Sequence, residues 1–150
     1  MASREDRLVR RLAGASELAL ALDLRAAVFC GEQGISLAAE QDGRDGEALH
    51  LGLFEGGALV GTCRLLEVHF SEPIVQRVAV RADRRGRGFG RALIERALVE
   101  ARRGGAAALT LHAQLESEGF YRGQGFTREG RPFVEAGIEH VAMRRALRLS

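Results

Sequence analysis

The apolar positions of this chain change period along its length, and each change marks an element. Arg7-Leu8-Val9-Arg10-Arg11-Leu12 alternates weakly and predicts a first strand, closed by a turn at Gly14. Behind Ser16-Glu17, the residues Leu18, Leu22, Ala26 and Phe29 recur at near-helical spacing, which predicts a helix ended by Gly31 and Gly34. Glu40 to Glu47, with Asp42-Gly43 and Asp45-Gly46, predicts a polar loop. Leu49 to Phe54 and Ala58 to Val68 predict two strands, joined at Glu55-Gly56-Gly57 because paired glycines accept the positive φ of a hairpin turn. Ile74 to Val80 is a further strand after the break at Pro73. From Gly88 to Arg103, the apolar residues Phe89, Leu93, Ala97 and Ala101 stand four apart, a helix stopped by Gly104-Gly105. Ala107 to Leu111 predicts a short apolar strand of the buried kind. Gln114 to Arg122 predicts a short helix closed by Gly123, and Phe126-Thr127 and Ile138 to Leu147 predict the last two strands.

This order of elements implies an α+β fold, an α/β sandwich around a mixed sheet. A length of 150 residues suits a single domain over 1–150. Hydrophobic residues at 46% and charged residues at 28% are ordinary globular usage, so the composition itself selects no special class. No run approaches the length of a membrane span, and the polar start Met1-Ala2-Ser3-Arg4-Glu5-Asp6 shows no secretory signal. A cytoplasmic protein whose Cys30 and Cys63 remain thiols is the resulting expectation.

Charge changes the picture locally. All 22 basic residues are arginine, and between Arg77 and Arg91 stand Arg81, Arg84, Arg85 and Arg87, opposed in sequence only by Asp83. That excess asks for an anionic partner. Seven Phe, one Tyr and no Trp, none interleaved with these arginines, make a poor platform for nucleic acid, so a phosphate-bearing cofactor is favoured. His50, His69, His112 and His140 are isolated and neither cysteine has a partner at ligand spacing, so no metal is expected.

The chemistry concentrates in Val78-Ala79-Val80-Arg81-Ala82-Asp83-Arg84-Arg85-Gly86-Arg87-Gly88-Phe89-Gly90-Arg91. A strand feeds a Gly-rich loop that opens a helix. Glycines let the backbone approach an anion, and the free N–H groups of a helix's first turn favour negative charge. The loop lacks the Gly-Lys-Ser/Thr of nucleoside triphosphate loops and the third glycine of the dinucleotide pattern. Its Arg85-x-x-Gly88-x-Gly90 spacing resembles the pyrophosphate loop of the GCN5-related N-acetyltransferases. Gln114-x-x-Ser117-x-x-Phe120-Tyr121-x-x-x-Gly125-Phe126 is similar to a second motif of that superfamily, with Gln where the family has Asn and Ser where it has Ala. Arg25 to Gln33, the Asp42-Gly43 loop, His50, His112-Ala113-Gln114 and Phe133-x-x-x-Gly137-Ile138-x-His140-x-x-Met143 resemble its ElaA-like branch.

The resemblance implies a mostly antiparallel central sheet flanked by helices, and an acetyl-CoA-dependent N-acyltransferase acting on a primary amine of a small molecule or peptide. It implies a cofactor site of Val78, Ala79, Val80, Arg85, Gly86, Arg87, Gly88, Phe89, Gly90, Arg91 and Gln114, and Tyr121 as general acid. Glu32, Glu67 and His112 remain open as the general base, with Glu32 alternatively lining the acceptor pocket. A non-catalytic acyl-CoA-binding or sensing module on the same fold is the alternative function. The expected partners are acetyl-CoA and an amine acceptor, with no nucleic acid and no membrane; a homodimer is the base-rate oligomer.

Overall fold

The alternating segments pair into one sheet. The computed structural model describes residues 7–147, and the polar stretch Met1 to Asp6 lies outside the described residues. The strands are β1 (Arg7–Arg11), β2 (Leu49–Glu55), β3 (Ala58–Leu66), β4 (Ile74–Val80), β5 (Ala108–Gln114), β6 (Thr127–Arg128), β7 (Phe133–Glu135) and β8 (Ile138–Ala146). Their order is β1-β2-β3-β4-β5-β8-β6, with β7 also paired to β8. Every pairing is antiparallel except that of β4 with β5. This is the mixed, mostly antiparallel α+β sandwich that the resemblance implies.

Helices α1 (Gly14–Arg25), α2 (Leu37–Glu40), α3 (Phe89–Arg103) and α4 (Glu118–Arg122) cover the sheet. Leu93, Ile94, Ala97 and Ala101 of α3 are fully buried against Leu51, Leu53, Cys63, Leu65, Leu109 and Leu111. The other face carries a smaller cluster, Leu24 and Val28 on Ala79. Neighbouring residues of a strand face opposite sides, so Val78 and Val80 look toward α3 and Ala79 toward α1.

Four local readings change. Gly31 does not end the first helix: α1 runs on as a π-helix over Ala26–Glu32, and Gly34, at φ 70°, turns the chain out instead. The return strand stops at Leu66 rather than Val68, where Glu67 takes φ 57°. Gln114 belongs to β5, and the helix expected from it begins at Glu118 after the single turn Leu115–Ser117. The segment from Glu40 to Glu47 is polar in sequence yet partly interior: Glu40 is 2% exposed.

Candidate active site

β4 and β5 share one bridge, Ile74 with Thr110, and then part. The cause lies in β4. Arg64 pairs with Gln76 but Thr62 with Ala79, so β4 spends one residue more than β3 over that step. The extra residue is Arg77, at φ 57°, a left-handed conformation that costs a non-glycine residue on the order of 1–3 kcal/mol. The Arg77 guanidinium holds the bulge by donating to the carbonyls of Ala39 (3.2 Å) and Glu40 (3.2 and 3.3 Å). Beyond it, the Arg81 N–H donates to the Val60 carbonyl at 2.8 Å. By alternation the N–H groups of Val80 and Val78 point away from β3, into the gap left by β5.

A cleft of about 260 Å³ fills that gap, with Val78, Arg77, Leu111, His112, Gln114 and Tyr121 among its walls. A charged network fixes its rim. Buried Arg25 donates to Glu40 (2.6 Å) and Asp45 (2.7 Å), and buried Arg64 donates to Asp42 (2.6 Å), Asp45 (2.9 Å) and Gln76 (2.7 Å). These pairs pin α2 and the loop after it across β3 and β4. The hydrogen bonds from Arg64 hold the Asp42 carboxyl well below the usual range. Burial acts to raise that of Asp45, but Arg25 and Arg64 outweigh it and the net shift is downward.

The Gly-rich loop lies at the end of β4 that has parted from β5. Gly86 takes φ 76° and Gly88, the N-cap of α3, φ 82°; a Cβ on either would meet nothing within 4 Å. Glycine is therefore needed for the turn, and the space above the backbone is open. The arginine excess read from the sequence is corrected by the fold. Arg85 pairs with Glu32 (2.7 and 3.0 Å) and donates to the Val80 carbonyl (3.1 Å). Arg84 and Arg87 both reach Glu55, at 2.7 and 3.0 Å, while Arg81 pairs with Asp83 and Arg91 with Glu95. Local carboxylates and the distant Glu32 and Glu55 thus answer the charge, which leaves the backbone N–H groups between Gly86 and Gly90 as the groups that could hold a phosphate, with the Phe89 side chain buried in the core.

Tyr121 packs edge-on between Phe120 and Phe126, with ring centroids 5.0 and 6.0 Å away. Burial, with Cys63 close by, raises its phenol well above the ordinary value, so it stays protonated across the neutral range. His112 lies on the opposite face of the sheet from the α3 core: Leu111 and Ala113 are buried there while His112 is exposed. Its Nδ1 is 3.0 Å from a Glu135 oxygen. Gln114 donates to Gln33 at 2.7 Å, linking β5 to the end of the π-helix. Glu32 departs from the expectation: its ion pair with Arg85 holds its carboxyl down, which suits a base badly, and it borders a separate shallow depression with Glu116 and Glu139. Glu67 is outside the cleft, in an ion pair with Arg44. Sequence reasoning gave no role in the site to Arg77, Glu135 or His140, although His140 stands in the motif that resembles the ElaA-like branch. The Ala136-Gly137 turn, at φ 52° and 77°, was the available signal for the β7–β8 hairpin that brings the last two in.

Both cysteines are free, and burial pushes the Cys63 thiol up to about 12. Among the described residues, no group of three or more His, Cys, Asp or Glu side chains is placed to hold a metal ion, and no helix is long and apolar enough to cross a membrane.

A sheet parted at its centre beside a Gly-rich helix N-terminus is the architecture of the acyl-CoA N-acyltransferases. An acyl-CoA N-acyltransferase from Pseudomonas aeruginosa superposes with a TM-score of 0.82 at 33% identity, covering 94% of this chain and 99% of that one. ElaA from Escherichia coli matches with a TM-score of 0.82 at 27% identity, covering 93% and 99%. A GNAT family acetyltransferase from Elizabethkingia anophelis, solved with acetyl-CoA bound, shares the fold with a TM-score of 0.74 at 14% identity, covering 96% and 100%. The family profile of the acetyltransferase (GNAT) domain matches residues 21–147, and the chain belongs to that family. Acyl transfer is the family's general activity, and acetyl-CoA is the donor the family uses.

Proposed function

We propose that the protein moves the acetyl group of acetyl-CoA to a primary amine of a small molecule or peptide by direct attack. The observation that carries this reading is the parting of β4 from β5, with the Gly-rich loop at one end of the gap and Tyr121 and His112 in its walls. The pyrophosphate rests on the N–H groups of the Gly86–Gly90 loop, and the pantetheine arm runs along Val78, Ala79 and Val80, with Gln114 across from it. The thioester then lies in the gap, open to an amine from the α1 side.

An ammonium acceptor first gives a proton to a base, for which His112 is the best placed of the residues named from the sequence. The amine nitrogen bonds to the carbonyl carbon, and the charge that develops on oxygen is met by a β4 N–H already pointing into the gap. The C–S bond breaks, the electron pair leaves with sulfur, and Tyr121 protonates it. The second proton leaving nitrogen restores the phenol. The high value of the Cys63 thiol leaves almost no thiolate at neutral pH, which supports transfer without an acetyl-cysteine intermediate.

The test is a panel of polyamines, arylalkylamines, amino sugars and short peptides, offered with acetyl-CoA and read by release of free thiol. Sequential kinetics with at least one member of the panel is the expected result. Ping-pong kinetics would contradict direct attack. A protein that binds acetyl-CoA and acetylates nothing would favour a sensing module.

A further inference from the structure

Three strands bring a second set of side chains to the cleft. On β5, His112 stands opposite Ala142 of β8; on β7, Phe133 stands opposite His140 and Glu135 opposite Ile138. These positions share one face of the sheet, so side chains from β5 and β7 meet across β8. The His112 Nδ1 lies 3.0 Å from Glu135 Oε1, and Glu135 Oε2 lies 3.8 Å from His140 Nε2. Phe133 presents its ring edge-on to His112 at 4.9 Å and stacks on His140 at 6.1 Å. His112, Glu135 and His140 all line the cleft.

The hydrogen bonds fix the tautomers. A carbonyl oxygen only accepts, so the His140 Nδ1, 2.7 Å from the Ile138 carbonyl, carries its proton and donates. A carboxylate likewise only accepts, so the His112 Nδ1 donates to Glu135. In the neutral ring of His112 the lone pair is then on Nε2. His112 and Glu135 remain nearly half exposed, at 44% and 46% of their side chains, so an acceptor can reach them. His140, at 9%, is enclosed and serves as packing for the pair.

We infer that Glu135 is the positioning residue for His112: it takes the Nδ1 proton and so presents the Nε2 lone pair to the acceptor ammonium, on the face of the sheet opposite Tyr121. This rests on the acyl-transfer reading and deepens it. The proton leaving the amine goes to Nε2 on one side of the sheet, and the proton reaching sulfur comes from the phenol on the other. The remaining charged walls, Asp42, Arg77 and the Oε1 of Glu40, already have partners in the rim network, and Glu40 Oε2 is buried without a hydrogen bond.

The test begins with protein carrying nitrogen-15 in its histidines, with His112 assigned by its loss in His112→Gln. At a pH where the ring is neutral, parent His112 should show the Nδ1–H tautomer. Glu135→Ala should shift it toward the Nε2–H form that free imidazole favours. With the fastest amine of the panel, Glu135→Ala should lower kcat about tenfold, a fraction of the hundredfold or more that a general base contributes. KM for acetyl-CoA should stay within about twofold, and Glu135→Asp should recover part of the loss. His112→Gln should lose a hundredfold or more. An unchanged tautomer in Glu135→Ala, or parental kcat in either Glu135→Ala or His112→Gln, would overturn the inference. A parent with the Nδ1–H tautomer that acetylates no amine would sink the transfer reading while upholding the pairing.

Discussion

In the proposed reaction, Tyr121 serves both packing and chemistry. Its ring is held edge-on by Phe120 and Phe126, and the residue forms part of the cleft wall. Tyr121→Phe keeps the ring contacts and removes only the proton donor. Acetyl-CoA affinity by calorimetry should therefore hold, while turnover should fall by roughly a hundredfold or more, in kcat and kcat/KM alike. Turnover at the parental rate would make Tyr121 a core residue and nothing more. The sequence could mark this tyrosine, because its motif is local. It could not mark Glu135, whose meaning depends on three strands meeting in space.

At the scale of elements, the junction between β4 and α3 has the clearest division of labour. Gly88 has a left-handed backbone with open space where a side chain would begin. A valine there would mix backbone strain with blockage, whereas asparagine tolerates that conformation. Gly88→Asn should therefore melt close to the parent and bind acetyl-CoA at least tenfold more weakly; unchanged affinity would remove the loop from the site. The helix behind this loop was legible in sequence because fifteen residues give its period time to repeat. The four-residue α2 and the three-residue β7 barely exceed one repeat of their periods, too little for a pattern to declare itself, and both escaped notice. The bulge at Arg77 escaped for another reason. Nothing in the run from Ile74 to Val80 says that one of its members will be left unpaired. The segment from Glu40 to Glu47 read as solvated because alternating charges look alike whether water or guanidinium groups surround them.

Across the whole molecule, the rim network joins the segment 25–45 to the centre of the sheet through Arg25 and Arg64. Asp42 and Asp45 have folded values below their unfolded ones, so their contribution is complete above the unfolded value of about 4 and is lost as pH falls through the folded values. The melting temperature should hold from neutrality to about pH 4 and decline below it. Asp45→Asn leaves two buried guanidinium groups short of a partner. It should cost about 3 kcal/mol at neutral pH and flatten that acid decline; an unchanged slope would remove Asp45 from the linkage. The choice of arginine for every basic position has a further consequence. Acetyl-CoA slowly acylates exposed lysine amines without any catalyst, and each such event erases a positive charge. With guanidinium groups alone, the protein presents no side-chain amine as a rival acceptor in the proposed reaction. Its buried ion pairs keep their charge however long the protein is exposed to such a thioester.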